Sequence, residues 1–322
     1  MKLTHHCALA AAGLAVSVTG AVAQTYPDRP LRLIVPYAPG GGTDLTSRLI
    51  ARQLTGSLNQ QVIVDNRAGG ASNIGCEIAA RSAPDGYTLL MAGISFSINV
   101  SMFAKLNYHP VKDFDPVSLV ATVPLVVVVH PSVPATSIRE LIALAKAKPG
   151  TLNYGSGGTG TANHIAGELF KFMTGTEIVH VPYKGGGPAL ADIVGAQIQL
   201  LFNTMTSTVG FMNSGKLRAL AVTGKQRSPG VPNLPTVAEA GVPGYDVGAW
   251  FGIVVPKGTP RALVNKLNSE IVRVTRLPEA REQFAAQGAE AIGSTPEEFA
   301  QHLRVEIDKW AKVAKAANLR AD

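Results

Sequence analysis

Leu31-Arg32-Leu33-Ile34-Val35-Pro36-Tyr37-Ala38-Pro39-Gly40-Gly41-Gly42-Thr43-Asp44, followed by Leu45, Leu49, Ile50 and Leu54 on one face, reads as a strand, a glycine loop and an amphipathic helix in immediate succession. A loop this tight leaves the first amides of the helix without intrahelical partners, and the helix dipole adds about half a positive charge at the same place. Such a site binds anions. Glycines at 40–42 let backbone approach a guest closely, while Thr43 or Asp44 can cap the helix or take a hydrogen bond from the guest.

Working outward, strand Gln61–Val64 leads to a second loop at Arg67–Gly70, a helix Asn73–Arg81, a turn at Pro84-Asp85-Gly86 and strand Tyr87–Met91. The same β-α-β-α-β order returns. It comes as strand Thr151–Tyr154, loop Gly155–Gly160, helix Ala162–Met173, strand Ile178–Val181, loop Lys184–Gly187, helix Ala189–Gly195 and strand Ile198–Phe202. A constant shift of 117 positions (37 to 154) lays Tyr37 on Tyr154, Gly40 and Gly41 on Gly157 and Gly158, Arg67 on Lys184, and Gly69 and Gly70 on Gly186 and Gly187. We read two similar α/β lobes, a pseudo-symmetric pair, each with a doubly wound sheet.

The remaining elements finish the first lobe. They are strand Trp250–Val255, a helix opened by Thr259-Pro260, and a last helix with Thr295 as cap and Glu298 three residues on. The chain then crosses between lobes near Val120–Val129 and Asp246–Val255, so lobe 1 holds residues 24–123 and 247–322 and lobe 2 holds 124–246. Two crossings make a hinge.

Composition agrees with a core-held fold. The 322 residues are 46% hydrophobic and 16% charged, enough for two ordinary domains. Lys2, the apolar run from Cys7 to about Val22 and Ala21-Val22-Ala23 read as an export signal cut after Ala23, which implies the periplasm. Cys76 alone then remains, so no internal disulfide forms. A formal net charge of +7 favours an anionic partner, but the bases are scattered without interleaved aromatics, which argues against nucleic acid. No cofactor is implied: Gly155-x-Gly157-x-x-Gly160 matches the dinucleotide fingerprint only formally, and neither loop holds Gly-Lys-Ser/Thr. His164 and Glu168, four apart on a helix, lack a third ligand and make no metal site.

The expected ligand-binding residues are Tyr37, Ala38, Pro39, Gly40, Gly41, Gly42, Thr43 and Asp44 from the first loop, with Ser156, Gly157, Gly158, Thr159, Gly160 and Thr161 from its counterpart. His164 is expected to line or support the cleft. Ser95, Phe96 and Asn203 are added from two segments read as wall-forming loops, Gly93–Asn99 and Asn203–Thr208. Trp250 and Phe251 read mainly as hinge packing. Two alternatives stay open. One is a periplasmic hydrolase using Ser156, His164 and an acid such as Asp44, although no Gly-x-Ser-x-Gly elbow surrounds Ser156 or Ser95. The other is a sensor that presents its ligand to a signalling partner.

The chain resembles the periplasmic solute receptors of tripartite tricarboxylate transporters, the Bug or TctC-like family. The resemblance spans essentially the whole mature chain. It rests on Tyr26-Pro27 with Arg29-Pro30, Ile34 to Asp44, Pro84-Asp85-Gly86-Tyr87, Asn153 to Gly158, and His164 to Glu168, and continues through Val181 to Gly185, Leu234-Pro235-Thr236 and Trp250-Phe251-Gly252. It implies a type II periplasmic-binding fold without catalysis or cofactor, a monomer that hands a small carboxylate to transporter membrane subunits. It also implies a carboxylate held by main-chain amides and bridging waters from Tyr37–Asp44 and Ser156–Thr161.

Overall fold

The computed structural model describes residues 26–316 and 320. The expected signal segment, its cleavage after Ala23, and Cys7 lie outside the described residues. Lobe 1 opens with β1 (Leu31–Val35), α1 (Gly42–Leu58), β2 (Val62–Asn66), α2 (Asn73–Ala80), β3 (Thr88–Ala92) and α3 (Ile94–Met102). The long strand β4 (Phe114–Val129) leads into α4 (Ile138–Ala147), β5 (Asn153–Ser156), α5 (Ala162–Thr174), β6 (Val179–Pro182), α6 (Gly186–Val194), β7 (Leu200–Thr204), α7 (Met205–Asn213) and β8 (Arg218–Val222). Strand β9 (Gly248–Pro256) returns the chain to α8 (Arg261–Thr275), α9 (Pro278–Ala286), β10 (Glu290–Ala291) and α10 (Pro296–Ala316).

Each lobe has a parallel triplet with its first strand in the middle, β2-β1-β3 in one and β6-β5-β7 in the other. Residues such as Leu33, Ile34 and Val35 are wholly buried, as a parallel sheet covered on both faces requires. Antiparallel β4 and β9 connect the two halves. Residues 114–124 of β4 pair with β9, and residues 125–129 pair with β7 and β8, so one strand belongs to both sheets. The two expected crossings are thus side-by-side antiparallel strands, a hinge stiffened by their mutual hydrogen bonds.

The duplication is real in topology, but the constant shift is not. Val35 and Ser156 each end the central strand and each accept a backbone bond, from Arg67 and Tyr183 respectively. Arg67 therefore corresponds to Tyr183, not to Lys184. The loops differ in length, so the equivalent positions drift along the chain. Most strands also end one or two residues later than periodicity suggests, and α6 begins at Gly186, earlier than the expected Ala189.

The segments Gly93–Asn99 and Asn203–Thr208 are not loops. The first forms most of α3, and the second ends β7 at Asn203-Thr204 and opens α7. Their serines and threonines suggest irregular chain, yet Ser97 and Thr208 turn their hydroxyls back on the Ile94 and Thr204 carbonyls while burial holds the helices. The capping expectation at the last helix holds: Thr295 and Glu298 bond each other's backbone amides, and Thr236 and Glu239 make the same reciprocal pair.

Candidate functional site

Because both parallel triplets point the ends of their strands toward one another, the helices that follow those strands all start at the junction of the lobes. Five of them line one cavity. Its walls include Gly41, Gly42 and Thr43 at α1, Gly93, Ile94 and Ser95 at α3, Thr161, Ala162 and Asn163 at α5, Gly186 at α6, and Asn203 and Thr204 before α7. Tyr37, Gly157, Ala249, Trp250 and Phe251 complete it. The amides of Gly42, Thr43, Ile94, Ser95, Ala162 and Asn163 precede the first bonds of their helices, and no other described group takes them. None of the lining residues carries a formal charge. The helix starts bring positive potential to this place without a charged side chain in its lining.

The side chains here are mutually tethered. Tyr37 and Ser95 share a hydrogen bond, and burial pushes the Tyr37 phenol up to about 12, so it stays neutral and available as a donor. Asn203 accepts from Asn163 at 2.8 Å and gives both amide hydrogens away, to Ser207 and Thr208 at 3.0 Å each. Trp250 donates its indole N–H to Glu306 at 2.9 Å, which aims the ring from β9 and locks it to α10.

Of the expected binding residues, the structure gathers Tyr37, Gly41, Gly42, Thr43, Ser95, Gly157, Thr161 and Asn203 around this cavity. The others sit elsewhere, and each for a reason. Phe96 points into the lobe 1 core, stacked on Tyr108 with ring centroids 5.9 Å apart, because the residue after Ser95 faces the opposite side of α3. Ala38, Pro39 and Gly40 face the other lobe: the Ala38 amide donates to the Lys184 carbonyl at 2.9 Å, and Gly40 packs near Gly187. Gly158 and Thr159 line a separate cleft with Ala71, Tyr183 and Lys184. Gly160 packs on Asn99 across the lobes.

Asp44 and His164 are buried behind the loops, bonded to the amides of Gly40 and Gly160. Ser156 is fully buried in the strand end; its hydroxyl meets His180 Nε2 at 2.6 Å and accepts the Gly158 amide at 3.0 Å. The Ser156–His164 combination of the alternative hydrolase reading does not form: Ser156 meets His180 instead and lies away from the cavity surface. Burial holds both His164 and His180 down to about 4, so both rings are neutral at physiological pH.

Gly93, Ile94 and Thr204 fall within the two segments the sequence reading took as walls, though it singled out none of them; it missed Ala162, Asn163, Gly186 and Ala249. The rule that α/β sheets bind ligands beyond the carboxyl ends of their strands points to Gly93, Ile94 and Thr204, once β3 and β7 are given helical successors. No local signal marks Ala249.

The sequence from residue 46 to 319 matches the tripartite tricarboxylate transporter family receptor, TctC. The chain belongs to that family. It is 40% identical to Protein BugT of Bordetella pertussis over 95% of this chain and 94% of the relative. Among solved structures, a receptor of this family resembles "R. palustris Rpa4515 with adipate" at 37% identity and TM-score 0.89, covering 92% of this chain and 99% of the other. It also resembles MatC of Rhodopseudomonas palustris with bound malate, at 31% identity and TM-score 0.86 over 89% and 99% of the two chains. The periplasmic binding protein BugD matches with TM-score 0.90 at 33% identity, over 92% and 100%. This TctC receptor thus has the two-lobed periplasmic-binding fold, and among its described residues no helix is long and apolar enough to cross a membrane.

Proposed function

We propose that this receptor binds a small mono- or dicarboxylate between its lobes, without chemical change, and delivers it to the membrane subunits of a tripartite tricarboxylate transporter. One observation carries the reading: five helix starts converge on a single cavity whose lining holds no charged side chain. An anion there meets unsatisfied amides on every side, and a cation meets only like potential. Adipate and malate in the related structures are anions of the size this chemistry suits.

The lobes divide at residues 123/124 and 246/247 in our reading, and the protein is exported, cut after Ala23 and monomeric. The cavity has room of only about 40 Å³, enough for one or two water molecules. Solute entry therefore requires the lobes to part about β4 and β9. Hydrolysis finds no support in the geometry, since Ser156 has no access to the cavity surface.

Calorimetry at neutral pH against aliphatic mono- and dicarboxylates of three to eight carbons tests the reading. Saturable one-to-one binding, with the solute recovered intact, is the expected result. Silence across that panel, or turnover of an ester or amide, would overturn it.

A further inference from the structure

Two side chains behind the binding loops do the same thing in different chemistry. Gly40 has a left-handed φ of 86° and donates its amide to Asp44 Oδ2 at 3.0 Å. Gly160 has φ of 82° and donates its amide to His164 Nδ1 at 3.2 Å. In both lobes the acceptor lies four residues after the glycine and is the third residue of the helix, α1 or α5. Both acceptors are more than nine-tenths buried.

We propose that Asp44 and His164 are matched positioning residues, each clamping one glycine amide of its loop backward so that the amides that follow are presented to the solute, and that the lobe 2 clamp holds only while His164 Nδ1 is unprotonated. A glycine with a positive φ has several conformations open to it, so this loop needs an outside constraint. Turning one amide away from the cavity fixes the direction of those that follow. The clamp must also be electrically silent, because a net negative charge behind the loop would oppose the anion.

Lobe 1 meets that condition by pairing Asp44 with Arg48, whose Nε and Nη2 lie 3.0 Å from the two carboxylate oxygens, while Asn66 of β2 donates to Oδ1 at 2.9 Å. Lobe 2 meets it with a neutral imidazole. The titratable groups facing His164 are His180 of β6, its ring centroid 4.4 Å away, and Glu168 and Lys171 on the same helix. Burial holds the ring down to about 4, which keeps Nδ1 an acceptor over the ordinary pH range. Protonation would place an N–H against the Gly160 N–H and open the clamp.

The affinity consequence rests on the carboxylate reading, whereas the clamp can be read without any solute. In the 15N-labelled protein free of solute, the Gly160 amide resonance should move with the His164 ring titration, at one midpoint, while Gly40 does not follow it. In His164→Asn, whose Oδ1 can replace Nδ1, that step should vanish. With adipate as probe, His164→Asn should stay within about threefold of the parent, and a folded His164→Ala should lose about tenfold or more. A Gly160 amide indifferent to His164 titration overturns the proposal, even where adipate fails to bind the parent and the carboxylate reading itself falls. Equal losses in folded His164→Asn and His164→Ala overturn it as well.

Discussion

Glu306 shows how one buried side chain ties the site to the scaffold. The same oxygen, Oε2, accepts the indole N–H of Trp250 at 2.9 Å and of Trp310 at 2.7 Å, and both rings are almost wholly buried. Trp250 lines the cavity, so its ring angle is set from α10, on the far side of β9. Replacing Glu306 with Leu leaves two buried donors unsatisfied, each costing roughly 1–3 kcal/mol, whereas Gln keeps an acceptor in place. Urea unfolding should therefore find Glu306→Leu destabilised by about 2–5 kcal/mol and Glu306→Gln by clearly less. Near-equal midpoints for the two variants would show that the shared oxygen does not hold the rings.

The packing of α5 on β5 and β6 depends on neutral histidines. His180 Nε2 shares a hydrogen bond with the Ser156 hydroxyl, which also accepts the Gly158 amide, and His164 Nδ1 accepts from Gly160. Beside them Tyr154 donates to Glu168 at 2.6 Å, and Lys171 pairs with the same carboxylate. Burial lowers both ring values from 6.5 to about 4 in the fold. The unfolded chain then takes up protons first as pH falls, so stability is complete above about 6.5 and declines toward 4. For His164 at pH 5 the loss is on the order of 2 kcal/mol. Thermal unfolding followed from pH 7 to 5 should decline steeply in the parent and less in a His164→Asn/His180→Asn double variant. Parallel curves would place the acid sensitivity elsewhere.

The molecule closes glycine against glycine. Gly41 lies close to the amides of Gly186 and Gly187, and a Cβ added at Gly187 would overlap the Pro39 carbonyl oxygen. Near them, Ala38 and Lys184 supply a backbone hydrogen bond from one lobe to the other. Gly187 itself has no positive φ, so alanine suits the start of α6 locally and is excluded only by the opposite lobe. Gly187→Ala should accordingly fold with an unchanged thermal midpoint without solute. Small-angle scattering should show it failing to contract when saturating carboxylate compacts the parent, and its affinity should drop about tenfold or more, roughly 1.4 kcal/mol. Contraction equal to the parent's would mean that the lobes close without this seam.

Local patterning was enough for the duplicated β-α-β-α-β order, the helix start at Gly41 to Thr43, and the cap at Thr295, because these depend on neighbours within a few residues. It misread Gly93–Asn99 and Asn203–Thr208, where hydroxyl-rich segments become helical only through burial between elements distant in sequence. It also placed Asp44, Ser156 and Phe96 against the solute, since the way a side chain turns from a strand end or the first turns of a helix depends on what packs behind it. Tertiary packing alone decided that five helix starts meet, that His180 rather than His164 partners Ser156, and that Gly40 and Gly187 face each other across the lobes. The physical reason is that an unpaired amide advertises itself in the chain, while the cavity it faces exists only once two separately built sheets share β4 and turn their strand ends inward.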